Sequence, residues 1–173
     1  MIIALTGHKQ CGKSYCAKIL EEKGFKRINF KDELLKEIKE YFPDLLNYWA
    51  EKYEMTVDKL LEKKPCKEVR FLMQNYGTEL RRSEDSKYWT DRWHNKAIEE
   101  DNVVCDDCRF LNEADNINML NGQIIRVLRP GYDGDSHKSE TEQDKIKVDF
   151  TINANDVEEL EIKFNLILNQ CLK

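Results

Sequence analysis

The stretch Gly7-His-Lys-Gln-Cys-Gly12-Lys13-Ser14 is where residue types and spacing in this 173-residue chain most directly imply chemistry. It fits GxxxxGK[ST] without a mismatch. In such a loop the glycines let the backbone curl so that successive N–H groups point at phosphate oxygens. The lysine neutralises β- and γ-phosphates, and the hydroxyl serves a magnesium ion. A helix opening at Lys13 adds the positive end of its dipole. Gly7, Lys9, Gly12, Lys13, Ser14 and Tyr15 are therefore the candidate nucleotide-binding residues, with His8 and Cys11 as spacers. The competing reading is a chance glycine-bearing turn. The context decides against it: the apolar run Ile2–Leu5 precedes the loop, and a helical pattern follows from Lys13 to Lys23.

The remaining elements alternate. Phe25–Phe30, Val103–Cys105, Gln123–Leu128 and Phe150–Ile152 read as further strands. From Asp32 to Glu100 the pattern is helical, with breaks at Pro43, near Thr56 and at Pro65. A helix around Asn112–Leu120 stops before Gly122, where a left-handed cap is expected. Asn155 opens a final helix, with Glu158 at the capping-box position. Strands alternating with helices imply an α/β fold, a three-layer parallel five-stranded sheet with helices on both faces. Ligands bind such sheets at the carboxyl ends of the strands, so the loops after Leu5, Phe30, Cys105 and Leu128 should face one site. One domain over 1–173 is expected, with a helical insertion at about 31–100 and a polar segment at about 129–147 in the place of a lid.

The composition, 28 Lys+Arg against 33 Asp+Glu and a net charge of −5, argues against a surface that grips long nucleic acids, and leaves local basic pockets open. No apolar run approaches the roughly 20 residues that span a bilayer, and no basic segment precedes Met1–Leu5, so a cytosolic protein is expected. The six cysteines read as free thiols. Cys105 and Cys108 form a CxxC pair without the second pair a structural zinc needs; a buried strand followed by a loop is the favoured reading.

Within the insertion, Val69, Met73, Tyr76 and Leu80 form an apolar stripe at about 100° per residue. Arg70, Gln74, Gly77 and Arg81 line an adjacent stripe that suits a ligand carrying a phosphate and a base. A solvated helix face explains that stripe equally well.

Taken in order, Arg70-x-x-x-Gln74-x-x-Gly77-Thr78-Glu79-x-x-Arg82, Tyr88-Trp89, Asp107-x-Arg109-Phe110-x-Asn112-Glu113, Arg129-Pro130 and His137-x-Ser139-Glu140 resemble bacteriophage-type deoxynucleoside monophosphate kinases. The resemblance covers nearly the whole chain and departs after the second strand, where Lys31-Asp32-Glu33 replaces the family's usual Ala-Asp-Pro. It implies phosphoryl transfer from ATP, with Mg2+, to a deoxynucleoside 5'-monophosphate, for nucleotide supply in DNA synthesis. It also implies a viral origin, hence the host cytoplasm, and a homodimer is an expectation for kinases of this kind. The motif selects Arg82 where the helical stripe selects Arg81. Arg82 is preferred, because a helix ending or bending near Gly77 turns it inward.

The expected roles follow. Lys13 holds ATP phosphates; Ser14 and Asp107 support magnesium. Arg70 and Arg109 grip the acceptor phosphate, Asp32 orients the acceptor or its metal, and Arg129 reaches the transferring group. The acceptor-binding set is Asp32, Arg70, Gln74, Gly77, Arg82, Trp89, Asp107, Arg109 and Glu140. A salt bridge to Glu113 competes for Arg109, and core packing competes for Trp89. Two further readings stand beside this one: a kinase of another small acceptor such as dephospho-coenzyme A, and a nucleotide-binding switch without kinase activity.

Overall fold

A computed structural model of the chain describes residues 1–132 and 141–171. They fall into two compact units, one of residues 1–30 and 93–173 and one of residues 31–92. His137, Ser139 and Glu140, with the middle of the expected lid, lie outside the described residues.

The first unit carries the sheet. β1 (Ile2–Thr6), β2 (Lys26–Arg27), β3 (Val103–Cys105), β4 (Gln123–Leu128) and β5 (Phe150–Asn153) pair in the order β2-β3-β1-β4-β5. All pairings are parallel: Ile3 sits opposite Val104 and Gln123, and Arg126 opposite Thr151. Buried on both faces, β1 is fully apolar up to Thr6, as a central parallel strand requires. Successive side chains leave the sheet on opposite sides. Ile3, Leu5, Ile125 and Val127 pack with Ala17, Leu20, Leu160 and Phe164, under α1 (Lys13–Glu22) and α8 (Val157–Cys171). Ile2, Ala4, Val103 and Ile124 pack with Trp93, Ala114 and Ile117, the last two from α7 (Leu111–Met119). These are the three layers.

The second unit is helical: α2 (Lys31–Tyr41), α3 (Pro43–Lys52), α4 (Val57–Lys63), α5 (Lys67–Gln74), a π-helix (Asn75–Arg82), and the first turns of α6 (Tyr88–Ala97). Its own core contains Ile38, Leu46, Leu60, Leu61, Val69, Tyr76 and Trp89. Pro43 opens α3, where a missing N–H costs nothing, and Thr56 caps α4 by accepting the Lys59 N–H at 3.3 Å.

Three local expectations are corrected. The second strand is only Lys26–Arg27: Ile28 still donates to Val104 O, but Phe25, Ile28 and Phe30 are buried by packing rather than by ladder pairing. The left-handed residue after α7 is Asn121 (φ 54°), and Gly122 supplies room, since a Cβ there would lie 2.6 Å from Ile117. The last helix is capped one residue later than expected. Asp156 accepts the Glu159 N–H at 2.8 Å, and Glu159, not Glu158, reaches back to the Asn155 N–H.

Candidate active site

The phosphate loop lies between β1 and α1, at the carboxyl end of the central strand. Gly7 has φ 130° and Gly12 φ 101°, conformations that side-chain-bearing residues rarely take. A Cβ on Gly7 would lie 2.1 Å from Val127 O, and one on Gly12 2.4 Å from Leu160. The lysine is 7% exposed, and its Nζ donates to Gly7 O at 2.5 Å and His8 O at 2.6 Å. The loop is thus curled around its own ammonium group. Ser14 is exposed in the first turn of α1, and Tyr15 donates its hydroxyl to Glu161 at 2.6 Å. Lys9 is exposed on the loop.

His8, read from sequence as a spacer, has a specific place. Its Nδ1 lies 2.7 Å from Gln143 Nε2, and its Nε2 lies 3.3 Å from Asp144 Oδ1. The Nε2–H tautomer satisfies both contacts, accepting from the amide and donating to the carboxylate. Gln143 is buried, and Arg126 donates to its carbonyl at 2.9 Å and to that of Ile146 at 2.7 Å. The phosphate loop is therefore tied to the segment that leads into β5. No sequence signal marks this pairing, because it spans 135 residues and uses a variable loop position.

At the end of β3, two adjacent carboxylates are buried. Asp106 accepts from Asn29 Nδ2 at 2.7 Å and donates its N–H to Asn29 Oδ1 at 2.9 Å. Arg27 stands 3.5 Å from its other oxygen. Asp107 accepts the Phe30 N–H at 3.0 Å. Both carboxylates fasten the ends of β2 and β3 together. Burial raises the thiol pKa of Cys105 and of Cys108 well above the ordinary value, so both stay protonated, inert core groups at neutral pH. All six cysteines are free, and no group of three or more metal-ligating side chains occurs among the described residues.

Arg109 follows this turn. The hydrogen bond it makes to Glu113 runs from the backbone N–H, at 2.7 Å; Glu113 also accepts the Phe110 N–H and so caps α7. The backbone of Arg109 thus takes part in the helix cap. Arg129, just after β4, lies with its guanidinium carbon 4.5 Å from the Tyr132 ring centroid.

The second unit carries Asp32, in the first turn of α2, and Arg70, Gln74 and Arg82 on α5 and the π-helix. Two expectations change here. Trp89 is 2% exposed and donates its indole N–H to Gly77 O at 2.8 Å, so it is a core residue and not a platform for a base. Gly77 faces Leu34, whose Cδ2 would lie 3.0 Å from an added Cβ; its small size admits α2. Arg81, from the expected stripe, is held within the unit: it donates to Tyr76 Oη at 2.7 and 3.1 Å and pairs with Glu37 at 3.5 Å.

The deoxynucleotide monophosphate kinase family matches residues 49–164. This chain belongs to that family. It is 30% identical over 162 residues to a protein of Acanthamoeba polyphaga mimivirus assigned as a deoxynucleotide monophosphate kinase, covering 85% of this chain and 84% of the viral one. The kinase fold recurs in dephospho-CoA kinase from Campylobacter jejuni, with TM-score 0.53 and 16% identity over 98% of this chain and 96% of that one. Shikimate kinase from Aquifex aeolicus aligns at TM-score 0.47 and 17% identity over 99% of both chains. The protein is a nucleotide kinase, and among the described residues no helix is long and apolar enough to cross a membrane.

Proposed function

We propose that the protein transfers the γ-phosphoryl group of ATP to a deoxynucleoside 5'-monophosphate, in the cytoplasm, to supply nucleotides for DNA synthesis. The observation that carries the reading is the loop curled around Lys13, in a chain of this family. An ammonium group already surrounded by oxygens at 2.5 and 2.6 Å is preset to exchange them for phosphate oxygens.

Phosphoryl transfer asks for positioning and charge neutralisation more than for covalent chemistry. Gly7, Lys9, Gly12, Lys13, Ser14 and Tyr15 form the proposed nucleotide-binding set, in which Lys13 and the loop N–H groups bind the ATP phosphates. The donor set suits magnesium, which keeps several waters and takes few protein ligands: the exposed Ser14 hydroxyl and the Asp107 carboxylate are the residues proposed to hold it. When bound, it would offset the charge that develops between the phosphates. Arg70, Gln74 and Arg82 are proposed to bind the acceptor, with Asp32 orienting it; Arg109 and Arg129 are proposed to stabilise the transferring group. The attacking oxygen of a monophosphate is already anionic, so a general base is not required. Residues 129–147 are the proposed lid, and the His8–Gln143 tie gives that segment a fixed foot on the phosphate loop. A homodimer completes the proposal.

The test is incubation with ATP, magnesium and a panel of deoxynucleoside monophosphates, with dephospho-coenzyme A as a separate arm. Formation of diphosphates, abolished by Lys13→Ala, supports the reading. Phosphorylation of dephospho-coenzyme A alone overturns the substrate class, and ATP binding without any accelerated ADP formation overturns the kinase activity.

A further inference from the structure

The residues Arg70, Gln74, Thr78 and Arg82 recur every four positions. An α-helix turns about 100° per residue, so a four-residue repeat drifts by about 40° per step. Over three steps Arg82 would end about 120° from Arg70, and Arg81 would lie within about 20° of it instead.

The helix is not uniform. From Asn75 to Arg82 it widens into a π-helix. Such a turn, with i→i+5 hydrogen bonds, advances about 85° per residue, so the drift reverses. Counting from Arg70, Gln74 falls at about 40°, Thr78 at about 35° and Arg82 at about 15°, while Arg81 swings about 70° away.

The wide turn has a side-chain clasp. Residues five apart diverge by about 140° in an α-helix and by only about 65° in a π-helix. Arg81 and Tyr76 are five apart, and the guanidinium donates twice to the phenol oxygen, at 3.1 and 2.7 Å, with its carbon 5.1 Å from the ring centroid. Tyr76 in turn donates to Glu37 Oε2 at 2.8 Å, and Tyr88 donates to Glu37 Oε1 at 2.6 Å. Arg81 Nε stands 3.5 Å from Glu37, and Arg92 covers the Tyr88 ring at 3.6 Å. Glu37 on α2 therefore binds both ends of the segment, the start of the π-helix and the start of α6.

We infer that Glu37, Tyr76 and Arg81 are positioning residues: their clasp holds the π-helix, and the π-helix brings Arg82 and Thr78 into line with Arg70 and Gln74 to form the acceptor-binding face. The inference rests on the proposed reading of the second unit as the acceptor-binding one. Two guanidinium groups with an amide and a hydroxyl between them match an acceptor carrying a phosphate together with sugar and base edges. It also assigns opposite duties to the two adjacent arginines, Arg81 to the scaffold and Arg82 to the ligand.

The experiment is steady-state kinetics of Tyr76→Phe and Glu37→Gln, which keep the shape of each side chain, alongside Arg70→Ala, Arg82→Ala and the double variant Tyr76→Phe/Arg82→Ala. Tyr76→Phe and Glu37→Gln are expected to raise the KM for the deoxynucleoside monophosphate about tenfold and to leave the KM for ATP within about twofold. In the Arg82→Ala background, Tyr76→Phe is expected to add less than about twofold, because its effect passes through Arg82. The proposal is overturned if Tyr76→Phe and Glu37→Gln leave the acceptor KM unchanged while Arg70→Ala and Arg82→Ala raise it. It is equally overturned if the Tyr76→Phe and Arg82→Ala effects multiply. Failure of the underlying reading looks different: the unmodified protein then phosphorylates no deoxynucleoside monophosphate, and the acceptor-face inference falls with it.

Discussion

The Asp107 carboxylate at the end of β3 accepts the backbone N–H of Phe30 at 3.0 Å, joining the end of one strand to the residue that precedes α2 across 77 positions of sequence. Asp107 is 8% exposed, so the bond is made in a region where an orphaned N–H is costly. Asp107→Ala is expected to lower stability by about 1–3 kcal/mol, read as a shift in urea midpoint without a change in slope. Asp107→Asn retains an acceptor for Phe30 and should lose less stability. Under the proposed metal role it should still raise the magnesium concentration needed for half-maximal activity, by about tenfold.

Gly7→Ala meets two obstacles at once, a backbone φ of 130° and a carbonyl oxygen 2.1 Å from the new methyl group. Neither can relax without moving β4. The variant is expected to lose more than about 2 kcal/mol of stability and to bind ATP at least about a hundredfold more weakly by calorimetry. Near-normal ATP binding by a folded Gly7→Ala protein would show that the loop does not act through its backbone curl.

Trp89→Phe should affect stability and not acceptor binding. The indole N–H to Gly77 O bond, 2.8 Å and buried, is lost, and about 1–3 kcal/mol is expected in the urea midpoint. The acceptor KM should stay within about twofold. A tenfold rise with unchanged stability would restore a base-stacking role.

Glu159 accepts the Asn155 N–H, pairs with Lys163 at 2.6 Å and accepts from Asn155 Nδ2, and these contacts, in that order, hold its carboxyl near a pKa of about 2 against an ordinary 4.5. A folded-state pKa below the unfolded one means the stabilisation is complete above about 4.5 and fades as pH falls toward about 2. The difference in melting temperature between the native protein and Glu159→Gln should therefore be constant from pH 7 to 5 and shrink below 4.5. A difference that grows on acidification would contradict the capping role.

Much of the sheet was legible because parallel strands must be apolar on both faces: Val103–Cys105 and Gln123–Leu128 read out as found. The helical breaks at Pro43 and Thr56 were equally readable, one from a missing N–H and one from a hydroxyl cap. Lys13 and its loop were recognisable from spacing alone. Side-chain facing along residues 69–82 was not, since periodicity assumes one helical pitch and the π-helix changes it at Asn75. That change is why Arg81 belongs with Tyr76 and Glu37. The His8–Gln143 tie was invisible for another reason: it depends on a partner that only the folded chain brings near.

The most direct test of the central claim is phosphorus NMR of the purified protein mixed with ATP, magnesium and an equimolar set of deoxynucleoside monophosphates. The account predicts that the β-phosphate signal of a deoxynucleoside diphosphate appears in equal amount with that of ADP, and that Lys13→Ala abolishes both. ADP accumulating together with inorganic phosphate, with every deoxynucleoside monophosphate signal unchanged, would contradict it.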